Sequence, residues 1–161
     1  MKSITIISGG QTGADRGALD AAFELGLPHG GWCPKGRKCE TGVIPERYRL
    51  QETASPDYAA RTEQNVIDSD GTLVLYWREM AGGTRLTAEF ARRHQRPLIE
   101  IDLAELDADQ ARKAQAVADV AAWLMENRIA RLHVAGPRES SQPGIAERTR
   151  AFIRKAIGHG R

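Results

Sequence analysis

Residues 4–15 read ITIISGGQTGAD, and the reading of this stretch decides the fold. Ile4, Ile6 and Ile7 make an uncharged, β-branched run, the pattern of a strand buried on both faces. Gly9 and Gly10 follow at once, and Gly13 closes the turn. Beyond it Ala18, Leu19, Ala22 and Phe23 recur on one helical face until Gly26 and Pro28 end the helix. The turn itself has two uses. Thr12 and Asp15 fit the Ser/Thr-x-x-Asp/Glu capping pattern, which requires no ligand. Equally, glycines let another group approach the main chain, and a helix N-terminus offers unpaired N–H groups to a phosphate. The spacing is neither GxGxxG nor a P-loop.

Outward from this turn the chain keeps alternating. GTLVLYW (71–77), PLIEID (97–102) and RLHVAG (131–136) read as strands, with SITIIS (3–8) the first of them. Helices are expected over 57–67, from a Thr84 cap to about His94, after an Asp107/Gln110 capping box, and after Pro143. GGWCPKGRKCETG (30–42) is a glycine-rich loop with a short strand near Gly31–Cys33, and YRLQE (48–52) is ambiguous between strand and loop. Strands alternating with helices imply βαβ units. The expected fold is α/β, a Rossmann-like three-layer arrangement with a mostly parallel sheet, in a single domain over 1–161.

Bulk properties narrow the function. With 23 basic and 21 acidic residues the net charge is +2, so an anion site must be local, and neither a nucleic-acid nor a membrane partner is expected. Cys33 and Cys39 match no CxxC pair and no zinc spacing, so no metal site is expected and the thiols read as reduced cytosolic ones. No apolar stretch approaches the ~20 residues of a membrane span, and the expected location is cytoplasmic.

In a sheet of this kind ligands bind outside the carboxyl ends of the strands. GGQTG, PKG, REMAGGT and GPRES each follow a strand and belong to that rim, whereas Asp68 and Asp70 precede a strand and read as turn chemistry. Lys35 could reach an anion as a point charge, although a basic loop is most often simply solvated. Gly83 and Thr84 repeat the first loop's logic at another helix N-terminus. Arg138, Glu139 and Ser140 complete the rim, with helix capping as their plainer use. Tyr58, Thr62 and Asn65 share one stripe of the helix after Asp57, and Arg61 beside them carries a fork suited to phosphate.

SGGQTGADRGALDAA, GGWCPKGRK, RTEQNVIDSDGTLVL, GGTRLTAE and VAGPRES..PGI together resemble the molybdenum cofactor carrier family, the circularly permuted YpsA-like members of the SLOG superfamily. The resemblance spans nearly the whole chain. It implies a Rossmann-like fold, a homo-oligomer (dimer or tetramer) and a site for a phosphorylated pterin such as molybdopterin, or for a nucleotide-like molecule. By the same motifs Gly9, Gly10, Gln11, Thr12, Gly13, Asp15, Lys35, Gly83, Thr84 and the segment Gly136, Arg138, Glu139, Ser140 would lie at the ligand. If molybdenum is involved, it arrives with the pterin.

A more distant resemblance is to LOG-type phosphoribohydrolases, whose pattern is an arginine, then SD opening a strand, then PGGxGTxxE. Arg61, Ser69–Asp70 and Gly82–Gly83 match it, and Glu89 falls on its catalytic glutamate. Ala81, Arg85 and Leu86 depart from it. Two functions are therefore expected. The first is a carrier or sensor that holds a phosphorylated ligand unchanged. The alternative is an enzyme that cleaves a nucleoside 5′-monophosphate, with Arg61 on the phosphate and Glu89 as the carboxylate.

Overall fold

The computed structural model describes residues 3–158; residues 1, 2 and 159–161 lie outside it. In chain order the elements begin with β1 (Thr5–Ile7), α1 (Ala14–Leu25), β2 (His29–Gly30) and β3 (Trp32–Cys33). A hairpin of β4 (Lys38–Cys39) and β5 (Gly42–Val43) follows, then β6 (Gln51–Glu52) and α2 (Tyr58–Ile67). Next come β7 (Gly71–Tyr76), α3 (Gly82–Arg93), β8 (Leu98–Asp102) and α4 (Leu103–Asp107). The last three are α5 (Gln110–Glu126), β9 (Arg131–Ala135) and α6 (Ile145–Gly158).

Five strands form one parallel sheet in the order β2-β1-β9-β7-β8. β9 sits at its centre, pairing Thr5 with Arg131 on one side and Gly71 with Leu132 on the other. Side chains alternate across each strand. Ile6, Leu73, Leu75, Leu132 and Val134 face one way and pack with α1, α4, α5 and α6 into the main core. On the opposite face Val66 of α2 packs with Phe90 and Ala91 of α3. Helices on both faces of a parallel sheet make a three-layer α/β architecture, and its strands are buried on both sides as their apolar runs require.

The second sheet is a local affair. β3 pairs in parallel with β6, outside the main sheet, and β4 pairs with β5. Cys33, Cys39, Ile44 and Tyr48 bury against Leu19 of α1, so this glycine-rich segment has a small core of its own.

Several sequence expectations need correction. α3 begins at Gly82 behind Ala81, and Thr84 lies buried inside its first turn rather than capping it. The Asp107/Gln110 box is replaced by two helices: Asp102 caps α4 through Ala104 N, and Asp109 caps α5 through the amides of Ala111 and Arg112. YRLQE yields only Gln51–Glu52. Thr12 does not cap α1, whose N-cap Gly13 makes no side-chain bond. Asp70 does serve the lower rim, accepting from the amides of Ala130 and Arg131 at 2.9 and 2.8 Å where β9 begins. Among the described residues no helix is long and apolar enough to cross a membrane.

Candidate functional site

Because β1, β9 and β7 are neighbours and parallel, the loops leaving their carboxyl ends meet. They enclose a cleft of about 560 Å³ with α2 as its remaining wall. Gln11 and Asp15 come from the first loop, Trp77, Glu79 and 81–84 from the segment after β7, Gly136, Arg138 and Ser140 from the one after β9, and Tyr58, Arg61 and Thr62 from α2. This volume lies in the range of small-molecule sites.

The first loop turns four of its amides inward, where the sequence suggests they are offered to a ligand. Gly10 N donates to Ser8 Oγ at 3.2 Å, Gln11 N to Asp15 Oδ2 at 3.1 Å, and Thr12 N to Gln11 Oε1 at 3.1 Å. Ala14 N donates to Pro137 O at 3.0 Å. The loop is folded onto itself and onto the segment after β9. Gly13 makes this possible: its φ is 82°, and a Cβ there would stand 2.3 Å from the Pro137 carbonyl oxygen.

What the loop presents instead is the side chain of Gln11. Its Oε1 accepts from two amides, Thr12 at 3.1 Å and Glu40 at 2.9 Å, which assigns the other end as nitrogen. Nε2 is left buried without a partner. Arg61 repeats the arrangement. Its Nη1 donates to Thr62 Oγ1 at 3.1 Å, its Nη2 lies 3.9 Å from Asp15 Oδ2, and its Nε is buried without a partner. Gly9 leaves room for it, since a Cβ there would stand 2.6 Å from Nη1.

Electrostatics follow from this burial. Desolvation pushes the Asp15 carboxyl above its ordinary value, opposed chiefly by the Arg61 guanidinium. His133, on the α2 face of β9, is pushed down to about 3 by burial, with Arg61 adding to the effect. It is neutral, and Thr72 Oγ1 lies 3.3 Å from its Nδ1. Around the Tyr58 ring stand Lys38 at 4.4 Å, Arg138 at 5.4 Å and Arg61 at 5.5 Å, so this end of the cleft is strongly positive. At the opposite wall Gly82 and Gly83 are exposed, and their amides precede the first bonds of α3, which run from Thr84 N and Arg85 N to Ala81 O.

Glu40 ties the first loop to the segment after β9. It occupies the turn between β4 and β5 and accepts from Thr12 Oγ1, Ser140 Oγ and, at 3.3 Å, Ser140 N. The Ser140 hydroxyl, followed by that of Thr12, holds its carboxyl below the usual range.

Among the candidate residues, Gln11, Asp15, Arg61, Gly83, Thr84, Gly136, Arg138 and Ser140 line the cleft. Gly9, Gly10, Thr12 and Gly13 build the wall behind them. Four lie elsewhere. Lys35 is exposed in the loop after β3, its amide bonded to Ser55 O. Asn65 is buried and doubly bonded to the Trp32 main chain at 2.7 and 2.9 Å. Glu139 accepts from Gly144 N and Ala146 N, ordering the start of α6. Glu89 is exposed in a separate outer groove beside Arg85 and Arg92. Tyr58 and Thr62, noted as part of a polar stripe, do line the cleft, as does Trp77. Glu40 was not singled out, and no local pattern marks it, because its partners are 28 and 100 residues away.

Residues 6–157 match the circularly permutated YpsA SLOG family. The chain belongs to that family. A crystal structure at 1.45 Å of a protein named "Putative molybdenum carrier protein", from Syntrophus aciditrophicus SB, is 43% identical. The similarity covers 97% of this chain and 96% of that one, with a TM-score of 0.90. No curated protein matches. Among the described residues of this YpsA-family chain, no group of three or more His, Cys, Asp or Glu is placed to hold a metal ion.

Proposed function

We propose that the cleft binds a phosphorylated small molecule, the molybdenum cofactor or its pterin first and a nucleotide-like molecule second, and that the protein serves as its carrier or sensor. The observation that carries this reading is the pair of buried, unpartnered donors, Gln11 Nε2 and Arg61 Nε, on two side chains that line one cleft. A buried N–H left unpaired costs about 1–3 kcal/mol, so two at one place argue for acceptors supplied from outside. The amides of Gly82 and Gly83 and the Arg138 guanidinium suit the phosphate. The Syntrophus protein is named a molybdenum carrier, which agrees with a molybdenum-bearing ligand. A molybdenum cofactor would bring its own metal chemistry; the residues here would bind and orient it.

The glycosidic-bond reading relies on Glu89, which stands in the outer groove rather than the cleft. Mass spectrometry of the protein purified from its native host tests the binding reading, which expects a phosphorylated pterin or nucleotide to co-purify and to raise the unfolding midpoint when added back. Release of free base from AMP by the wild-type protein, abolished in Glu89→Ala, would overturn the carrier reading. Assembly as a dimer or tetramer in the cytoplasm goes with this proposal, and sedimentation velocity checks the subunit number.

A further inference from the structure

Resting on the reading of the cleft as a ligand site, we infer that its floor selects a 2-amino-4-oxopyrimidine edge, the edge shared by guanine and pterins, with Gln11 donating to its carbonyl oxygen and Asp15 accepting from its N–H groups. Such an edge presents one acceptor, the oxygen, beside two donors, the ring N–H and the exocyclic amine. Adenine presents the reverse, an amine beside a bare ring nitrogen.

The floor has the complementary order. Gln11 and Asp15 are each more than nine-tenths buried, at 6% and 4% exposed, and both line the cleft. They are locked together, since Gln11 N donates to Asp15 Oδ2 at 3.1 Å. The Gln11 amide cannot turn to offer its oxygen without giving up the amides of Thr12 and Glu40. It is therefore a donor only. Asp15 Oδ1 makes no hydrogen bond among the described residues, and a carboxylate can take two parallel N–H groups. Arg61, 3.9 Å from Oδ2, supports the ionised form. An adenine placed here would set a ring-nitrogen lone pair against the carboxylate and leave Gln11 Nε2 unpaired. Discrimination of this kind is strong because the penalty falls on buried groups.

The test is titration calorimetry of the full chain with GMP, IMP and AMP, which share a ribose phosphate and differ only at the base. GMP is expected to bind about tenfold or more tighter than AMP, with IMP between them because it lacks the amine, the size of step a charge-assisted hydrogen bond gives. Asp15→Asn should narrow the GMP-to-AMP ratio to near one. Gln11→Glu, which keeps the oxygen that holds Thr12 and Glu40, should weaken GMP and IMP alike. If either variant fails to fold, the wild-type ratio still decides. Equal affinity for all three nucleotides, or a preference for AMP, overturns this inference and leaves the cleft as a phosphate-ligand site. Failure of all three to bind likewise overturns this inference, and failure of inorganic pyrophosphate and of a phosphorylated pterin as well overturns the cleft reading itself.

Discussion

Arg61 brings a full positive charge into a wall where, among the described residues, Asp15 is the one carboxylate that answers it, at 3.9 Å, and Thr62 its one hydrogen-bonded neighbour. Removing one member of a buried pair costs more than the pair is worth, because the other is stranded. Arg61→Leu is thus expected to destabilise the protein by about 3 kcal/mol, and Arg61→Leu/Asp15→Asn to recover most of that loss, as read by urea unfolding. His133 makes a separate prediction. The folded state holds it neutral with a pKa of about 3, while the unfolded chain takes up a proton near 6.5. Its contribution is therefore constant above pH 6.5 and turns against folding as acid is added between those values. From pH 7 to pH 5 the wild type should lose about 2 kcal/mol more than His133→Gln, measured by denaturant titration at each pH.

Among the elements, α1 and α6 approach each other closely at Gly17. A Cβ at Gly17 would stand 2.2 Å from the Ala146 carbonyl oxygen, which is backbone and cannot swing away. In a free helix Gly→Ala stabilises by about 1 kcal/mol. Here the sign reverses. Gly17→Ala is expected to cost about 1–3 kcal/mol and to lower Tm by roughly 3–10 °C in a thermal scan. The β4–β5 hairpin hangs on Glu40, so Glu40→Ala should speed amide exchange across residues 38–43 several-fold while leaving β7 and β9 protected, as seen by hydrogen-exchange mass spectrometry. These elements also mark how far the sequence could be read. β1, α1, β7, α3, β8 and β9 were legible because their apolar residues repeat with a strand or helix period over several positions. The short strand expected near 31–33 is present as β3, but two-residue strands have no period to detect, so the hairpin at Lys38–Val43 and the division of 29–33 between two sheets left no trace.

At the scale of the molecule, the alternation of strands and helices carried the layers and the parallel direction, and hence the rim on which the loops meet. It did not carry which loop keeps its N–H groups. Ser8, Asp15, Gln11 and Pro137 take up the amides of Gly10, Gln11, Thr12 and Ala14 at the first glycine turn, and only the folded chain brings Pro137 to Ala14. Nor could spacing tell Asn65, which clamps Trp32, from Arg61 on the same helix, which faces the cleft. One matter of topology reaches beyond ligands. With β9 between β1 and β7, the pairs β2–β1 and β7–β8 are separate half-sheets until residues 131–135 leave the ribosome. Until then each nascent half carries a raw edge awaiting the same missing strand, so synthesis interrupted before Arg131 should yield aggregates rather than a smaller working protein, and spontaneous renaturation should be slow for a chain of this length.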